Sequence, residues 1–521
     1  MFFGRCLKRI FIIKRSLPAF DRVSPPHKTG TTEAVIFIRN AVLPVRLLSS
    51  TGFRLLALFL LGLLLVLGFT FWRQSSAVPP LLAPLPQDPL IQVYFNHAQS
   101  ASYTEPYRHQ KRLGDDLEQR IVEAIATAHS SIDIAVHELN LPHIAQALAE
   151  RHQAGVTVRV IIESHYHQPM SHLTAQDVEQ LDERGRKKYE EFMQAADGDR
   201  DGQLSPTEIA QTDALVILRN AQIPVIDDTA NGSKGSDLMH HKFVVIDGQV
   251  VIVGSANFTW SDIHGDFLSP ESQGNANHLL KIASPALAQL FTQEFNILWG
   301  DGVGGKPDSQ FGLQKPYRPP QTITLAPGST ITVQFSPTSA SRPWEQSVNG
   351  LIGSVLNKAT RTVDMALFVF SEQKLSDILE TDRRRGVQVR ALIDPGFAYR
   401  DYSELLDMLG TALADKKCRY EAENHPWGVP IATVGIPNLP KGDLLHHKMA
   451  VVDGHIILTG SQNWSNAANE GNDENLLVIN NSTVAAHFNR EFDRLYKDAI
   501  LGIPSYIQQK FNNSKPIAIS N

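Results

Sequence analysis

The hydrophobic pattern of the chain changes character twice. It opens with a mixed basic segment, then runs without a single charge from Leu55 to Trp72. Eighteen helical residues span roughly 27 Å, close to the thickness of a bilayer's hydrocarbon core. Phe69, Phe71 and Trp72 stand where an interfacial aromatic belt would lie. The run therefore predicts a single transmembrane helix over 55–72; the alternatives are a buried core helix and cleavage after Ala77. Arg73–Leu90 follows, with Pro79, Pro80, Pro84, Pro86 and Pro89, and predicts an extended stalk over 73–90.

Beyond the stalk, short β-rich apolar runs alternate with amphipathic segments such as Asp115–Ala128 and Ser371–Arg384. That alternation predicts an α/β sheet with helices on its faces. It also occurs twice. Gly155-Val-Thr-Val-Arg-Val-Ile-Ile-Glu163 returns as Gly386-Val-Gln-Val-Arg-Ala-Leu-Ile-Asp394, and Ile132-Asp-Ile-Ala returns as Val363-Asp-Met-Ala. Phe291-x-x-Glu294-Phe295-x-x-Leu298-Trp299 returns as Phe488-x-x-Glu491-Phe492-x-x-Leu495-Tyr496. The expected layout is a basic segment 1–54, the span 55–72, the stalk 73–90 and a first repeat 91–300. A Gly/Pro-rich linker 301–330, a second repeat 331–500 and a tail 501–521 complete it.

Charge refines this picture. The 521 residues carry a formal net charge of −6. Ten Lys/Arg against Asp21 and Glu33 give residues 1–54 a charge of +8, which leaves −14 for the rest. A basic flank ahead of the span predicts a cytoplasmic N-terminus, with the catalytic unit on the outer side of the plasma membrane, periplasmic in a bacterium. The acidic remainder lacks the broad basic field that non-specific nucleic-acid binding uses. The two cysteines, Cys6 and Cys418, fall on opposite sides of the span, so no disulfide supports the fold and a cysteine metal site is excluded.

The first repeat is about 25 residues longer between its glycine and its histidine motif. The extra segment, about 185–215, contains Asp197-Gly-Asp199-Arg-Asp201-Gly202-Gln203-Leu-Ser205-Pro-Thr-Glu208. Carboxylates at the first, third and fifth loop positions, a turn-making glycine, a carbonyl from Gln203 and a bidentate Glu208 form the ligand pattern of a calcium loop. The segment resembles an EF-hand, and Ca²⁺ is expected there in a structural or regulatory role. The competing reading is an acidic turn followed by a Ser205–Glu208 capping box.

The chemistry-bearing residues are also duplicated. His240-His-Lys242-x₄-Asp247 is followed by Gly-Ser255-Ala-Asn257, and His446-His-Lys448-x₄-Asp453 by Gly-Ser461-Gln-Asn463. On a strand, His240 and Lys242 share one face, as do His446 and Lys448, while His241 and His447 point the other way. Two copies about a pseudo-twofold would set two imidazoles and two ammoniums around one phosphate. One histidine would attack phosphorus and the other would protonate the leaving alkoxide, with Lys242, Lys448, Asn257 and Asn463 holding the non-bridging oxygens. No cofactor is required for that chemistry.

These paired motifs resemble the signatures of the phospholipase D superfamily over about residues 91–500. The resemblance implies two homologous α/β repeats packed as a pseudo-twofold unit. It makes His240 and His446 nucleophile and acid, with His240 favoured as nucleophile, and makes Asp247 and Asp453 partners that orient the histidines. Ser255, Ser461 and Glu474 are expected to support the site. One departure stands out: Glu474 has Asn277 at its counterpart, nine residues later relative to the preceding serine. The superfamily resemblance and the tether favour membrane phospholipid as substrate. Nucleic-acid cleavage, phosphatidyl transfer and a non-catalytic calcium-dependent membrane module are the alternatives. Phe258, Trp260 and Trp464 either meet acyl chains, stack on bases or pack internally.

Overall fold

In a computed structural model, residues 81–505, 507 and 508 are described apart from 231, 232, 234, 235 and 327, together with the isolated positions 58, 60 and 62. The expected basic segment and the rest of the 55–72 span lie outside the described residues, as do 73–80 and the tail beyond 508. Among the described residues no helix is long and apolar enough to cross a membrane.

Two large β-sheets organise the described residues from 81 to 508. The first has seven strands in the order Ile91–Phe95, His278–Ala283, Val250–Gly254, Lys242–Ile246, Ser131–Val136, Thr157–Ile162 and Val225–Asp227. The second has nine: Gln321–Ala326, Ser329–Phe335, Asn475–Asn480, Ile456–Gly460, Lys448–Val452, Thr362–Leu367, Gln388–Ile393, Val434–Ile436 and Ile500–Leu501. Both are mixed α/β layers with the same central arrangement. Ser131–Val136 runs parallel to Thr157–Ile162 through the helix Pro142–Gln153, and Thr362–Leu367 runs parallel to Gln388–Ile393 through the helix Gln373–Arg384. The motif-bearing strands Lys242–Ile246 and Lys448–Val452 pair antiparallel to the first strand of each unit. All five residues of each motif strand are buried, as expected for Val/Ile-rich strands covered on both faces.

The repeated residues make repeated contacts. The Arg159 guanidinium donates to both carboxylate oxygens of Asp133 at 2.7 and 2.8 Å and lies 4.7 Å from the centre of the Phe295 ring. Arg390 donates to Asp364 at 2.6 and 2.9 Å and lies 4.8 Å from Phe492. One buried apolar cluster draws on both sheets, including Phe243, Phe291 and Phe295 from the first unit and Met449, Phe488 and Phe492 from the second.

Two expected boundaries need correction. The linker 301–330 is not irregular throughout, because Gln321–Ala326 forms the edge strand of the second sheet against Ser329–Phe335. The last part of the stalk is docked rather than extended into solvent. Arg490 donates to the Ala83 carbonyl at 2.8 Å, His487 binds the Pro86 carbonyl at 2.9 Å, and Asn481 donates to Asp88 at 2.9 Å. Prolines leave carbonyls without a local N–H partner, and the polar face of the helix Ser482–Lys497 supplies donors to them.

Candidate active site

The two units interlock by reciprocal backbone bridges at the start of each motif. Met239 bridges to Asp473 and Leu445 to Ala276. The His240 amide donates to the Asp473 carbonyl at 3.0 Å, and the His446 amide to the Ala276 carbonyl at 3.1 Å. Each histidine is therefore anchored by the opposite unit, and the next side chain along that opposite strand reaches its ring.

Those ring partners differ. His240 Nδ1 lies 2.7 Å from Glu474 Oε2. His446 Nδ1 lies 3.1 Å from Asn277 Oδ1 and 3.4 Å from Asp262 Oδ1. Asn277 in turn donates to Asp262 Oδ1 at 3.2 Å, and Asn275 donates to the same oxygen at 2.6 Å. Asp262, which the sequence reading did not single out, thus supplies the carboxylate that Asn277 lacks. It sits in the short helix Trp260–Ile263, seven residues after Ser255. In both rings the oxygen at Nδ1 accepts the ring proton, so the neutral imidazole keeps its lone pair on Nε2.

Lys242 donates to the His240 carbonyl and Lys448 to the His446 carbonyl, both at 2.8 Å. Both ammoniums are buried, 1% exposed. Burial and the neighbouring Lys242 and Lys448 charges hold the His240 ring well below the usual imidazole range, and burial with the Lys448 and Lys242 charges does the same to His446. Burial lowers Lys242 to about 8, and burial with the Lys242 charge lowers Lys448 well below an ordinary lysine. Burial pushes Glu474 up to about 7 against the opposing pull of Lys242. A bound anion relieves two desolvated ammoniums.

The supporting serines stand where the turns need them. Ser255 Oγ donates to Asn277 Oδ1 at 2.8 Å and accepts the His278 amide at 3.1 Å; Ser461 Oγ accepts the Asn475 amide at 3.0 Å. Asn257 and Asn463 follow strands adjacent to the lysine strands, and the amide oxygen of each is buried without a protein donor. His241 and His447 face away from the lysines, binding Glu294 and Glu491 at 3.0 Å each. His447 also meets His278 at 3.0 Å, Nδ1 to Nδ1. Phe258, Trp260 and Trp464 are buried, 0–1% exposed, and pack inside the units rather than lining the site.

Asp247 and Asp453 do not orient the histidines. Each lies at the far end of its strand, followed by glycine, with both residues at positive φ: 52° and 61° in the first unit, 52° and 76° in the second. Such a turn favours Asp-Gly. Asp247 accepts from the His129, Ser130 and Ser131 amides at 2.7–2.9 Å and from Ser130 Oγ at 2.7 Å. Asp453 makes the same clamp on Thr360, Arg361 and Thr362. Both are structural ties between the motif hairpin and the start of the neighbouring strand.

The acidic loop joins the helices Glu183–Ala196 and Pro206–Thr212. Oxygens of Asp197, Asp199 and Glu208 lie within 4.8 Å of one another, and Gly202 turns at φ 83°. Asp201 is turned to the Gln203 amide at 2.7 Å. The Ser205–Glu208 capping box is also formed, with Glu208 Oε1 free of it to accept the Gly198 amide at 2.8 Å. The donor set is hard oxygen throughout, which fits a calcium-class cation.

Two interlocked α/β units with a shared histidine–lysine centre define the class. The family profile described as "Cardiolipin synthase, PLD-like domain" matches residues 121–299 and 352–496, and the chain belongs to this family of phospholipase D-like domains. Among curated relatives, the mitochondrial cardiolipin hydrolase of Chlamydomonas reinhardtii is 28% identical over 141 residues, 27% of this chain and 54% of that protein. The mitochondrial cardiolipin hydrolase of Homo sapiens is 26% identical over 179 residues, 34% of this chain and 62% of that protein. The chain spans about half to three-fifths of the length of these relatives. A solved phosphatidylserine synthase of Haemophilus influenzae Rd KW20 covers 85% of this chain and 96% of its own at 12% identity, with a TM-score of 0.48.

Proposed function

We propose that the protein is a phosphodiester hydrolase acting on membrane phospholipid through a phosphohistidine intermediate. The observation that carries the reading is the pair of buried imidazoles, each with an acceptor on Nδ1 and each beside a buried lysine. His240 is the nucleophile, because the full carboxylate of Glu474 on Nδ1 makes Nε2 electron-rich. Its Nε2 forms the bond to phosphorus as the bond from phosphorus to the leaving oxygen breaks. His446, backed by Asn277 and Asp262, takes up a proton as the anionic diester enters and delivers it to that oxygen. Water then gives its proton back to His446, attacks phosphorus and displaces His240. Lys242 and Lys448, with Asn257 and Asn463, stabilise the charge that builds on the non-bridging oxygens.

Phospholipid is favoured over nucleic acid by the −14 charge beyond residue 54 and by the apolar run 55–72, which would tether the unit to a membrane with its site outside the cytoplasm. The names of the curated relatives point the same way. The test is one incubation of residues 73–521 with mixed phospholipid vesicles and plasmid DNA, with His240→Ala as control. Head-group release with intact DNA, lost in the variant, is expected. Degraded DNA with untouched lipid would replace this reading with a nuclease. Product carrying a new alcohol would make it a transferase, and lipid binding without turnover would make it a binding module.

Ca²⁺ is proposed at Asp197, Asp199 and Glu208, with Asp201 and Gln203 completing the loop, in a structural role. Calcium should raise the melting temperature, Asp197→Ala should abolish that rise, and a chelator should leave the hydrolysis rate unchanged. Loss of turnover in the chelator at a temperature where the protein stays folded would give the ion a direct role.

A further inference from the structure

The walls beside the two histidines are built at equivalent places but from different chemistry. In the first unit, strand Ser131–Val136 runs directly into His137, and Tyr166 follows strand Thr157–Ile162 by four residues. In the second unit, the same positions after Thr362–Leu367 and Gln388–Ile393 hold Phe368 and Phe397. The backbone of the pairs is superposable in role: the His137 amide donates to the His241 carbonyl at 2.9 Å and the Phe368 amide to the His447 carbonyl at 2.8 Å.

The ring geometry repeats as well. His137 meets His240 edge to face at 4.9 Å and 65°, and Phe368 meets His446 at 4.8 Å and 65°. His137 meets Tyr166 at 5.1 Å and 72°, and Phe368 meets Phe397 at 4.6 Å and 68°. His137 Nδ1 donates to the Met239 carbonyl at 3.2 Å, which leaves its other nitrogen as an acceptor. Lys188 lies 4.2 Å from the centre of the Tyr166 ring and is paired with Glu138. The wall at His240 is therefore polar and hydrogen-bonding. The wall at His446 presents the rings of Phe368 and Phe397, both half-buried, with the Lys448 ammonium 4.8 Å from the centre of the Phe368 ring; Leu444, two residues before His446, is 39% exposed.

We propose that Phe368 and Phe397 select phosphodiesters whose leaving alcohol carries hydrocarbon next to the phosphate, while His137 and Tyr166 form the opposite, polar wall. The assignment rests on the proposed function, in which His446 protonates the leaving oxygen; that oxygen's substituent must then lie against the Phe368–Phe397 pair. A hydrocarbon substituent loses contact with water there. Among head-group alcohols, those with polar groups close to the phosphate leave them less well satisfied against this wall and react more slowly than more apolar ones.

The test uses two soluble esters with the same short-chain diacylglycerol phosphate, one of hexanol and one of glycerol. The unaltered protein should show kcat/KM about tenfold higher for the hexyl ester. Phe368→Ser with Phe397→Ser should bring the ratio to about one, Phe368→Leu should retain it, and His137→Phe with Tyr166→Phe should leave the hexyl ester preferred. A ratio near one in the unaltered protein, or a ratio unmoved by the serine pair, overturns the proposal. Bis(p-nitrophenyl) phosphate separates this from failure of the phospholipid reading. Should only that lipid-free diester be hydrolysed, in a His240-dependent way, the phospholipid reading falls. The wall is then judged by KM for the aromatic diester: a rise of about tenfold in the serine pair supports it, and an unchanged KM overturns it.

Discussion

Glu474→Gln is a change of one atom type at the centre of the site, and its effect follows from the neighbours. Asn472 Nδ2 donates to Glu474 Oε1 at 3.1 Å, while Glu474 Oε2 faces His240 Nδ1 at 2.7 Å. A glutamine satisfies Asn472 only by presenting its oxygen there, which turns its NH₂ toward His240. The imidazole must then accept at Nδ1 and carry its proton on Nε2, where attack on phosphorus requires a lone pair. Losing a charge-assisted hydrogen bond costs about 1.5–3 kcal/mol, roughly 10- to 150-fold in rate. The unfavourable tautomer adds to this, so kcat should fall by about 10²–10⁴-fold. KM should change little, because the lysines that hold the diester are untouched. Initial rates on bis(p-nitrophenyl) phosphate and on vesicles, with circular dichroism as a check on folding, make the measurement. A kcat within threefold of the unaltered protein would refute the assignment of Glu474 as the group that readies His240.

Asp262→Asn should discriminate between leaving groups. It should lower turnover of alkyl esters about 10- to 100-fold, and barely affect p-nitrophenyl esters, whose alkoxide departs without a proton; equal losses on both would remove Asp262 from the acid step. The pH profile of kcat/KM should be a narrow bell. Glu474, raised to about 7, must be ionised, so activity rises through that pH; Lys242, lowered to about 8, must be protonated, so activity falls above it. Glu474→Gln should erase the acid limb of its residual activity, and an unshifted limb would assign it elsewhere. At Asp247, burial raises the carboxyl but the Ser131, Ser130 and His129 amides outweigh it and hold it at about 2. Its stabilisation is therefore full above the unfolded value near ~3.9 and lost as pH falls through about 2. Asp247→Asn should cost about 1–2 kcal/mol of stability, allowing for its partial exposure, and lower the melting temperature by a few degrees. Its turnover per folded molecule should stay within about threefold; a loss of activity without a loss of stability would return Asp247 to the catalytic machinery.

Local sequence determined much of this protein. The alternation of β-rich runs and amphipathic segments is enough to specify α/β units, because period and burial are properties of the chain itself. The duplication of Asp133, Arg159 and Phe295 as Asp364, Arg390 and Phe492 carries the same packing into both halves. The spacing of His240 and Lys242 on one strand face needs no partner to be read. What the linear pattern could not decide were contacts between units. Glu474 reaches His240 and Asn277 reaches His446 only because reciprocal bridges at Met239–Asp473 and Leu445–Ala276 bring distant segments together. Asp262 supplies the missing carboxylate from the short helix Trp260–Ile263, so its role is invisible to a position-by-position comparison of the repeats. Asp247 and Asp453 show the converse. A motif groups residues by sequence spacing, but a strand of five residues separates its ends by about 15 Å, and the aspartate stands at the end far from the histidine. Spacing fixes which residues share a strand face; the distance across the fold fixes which of them share a site.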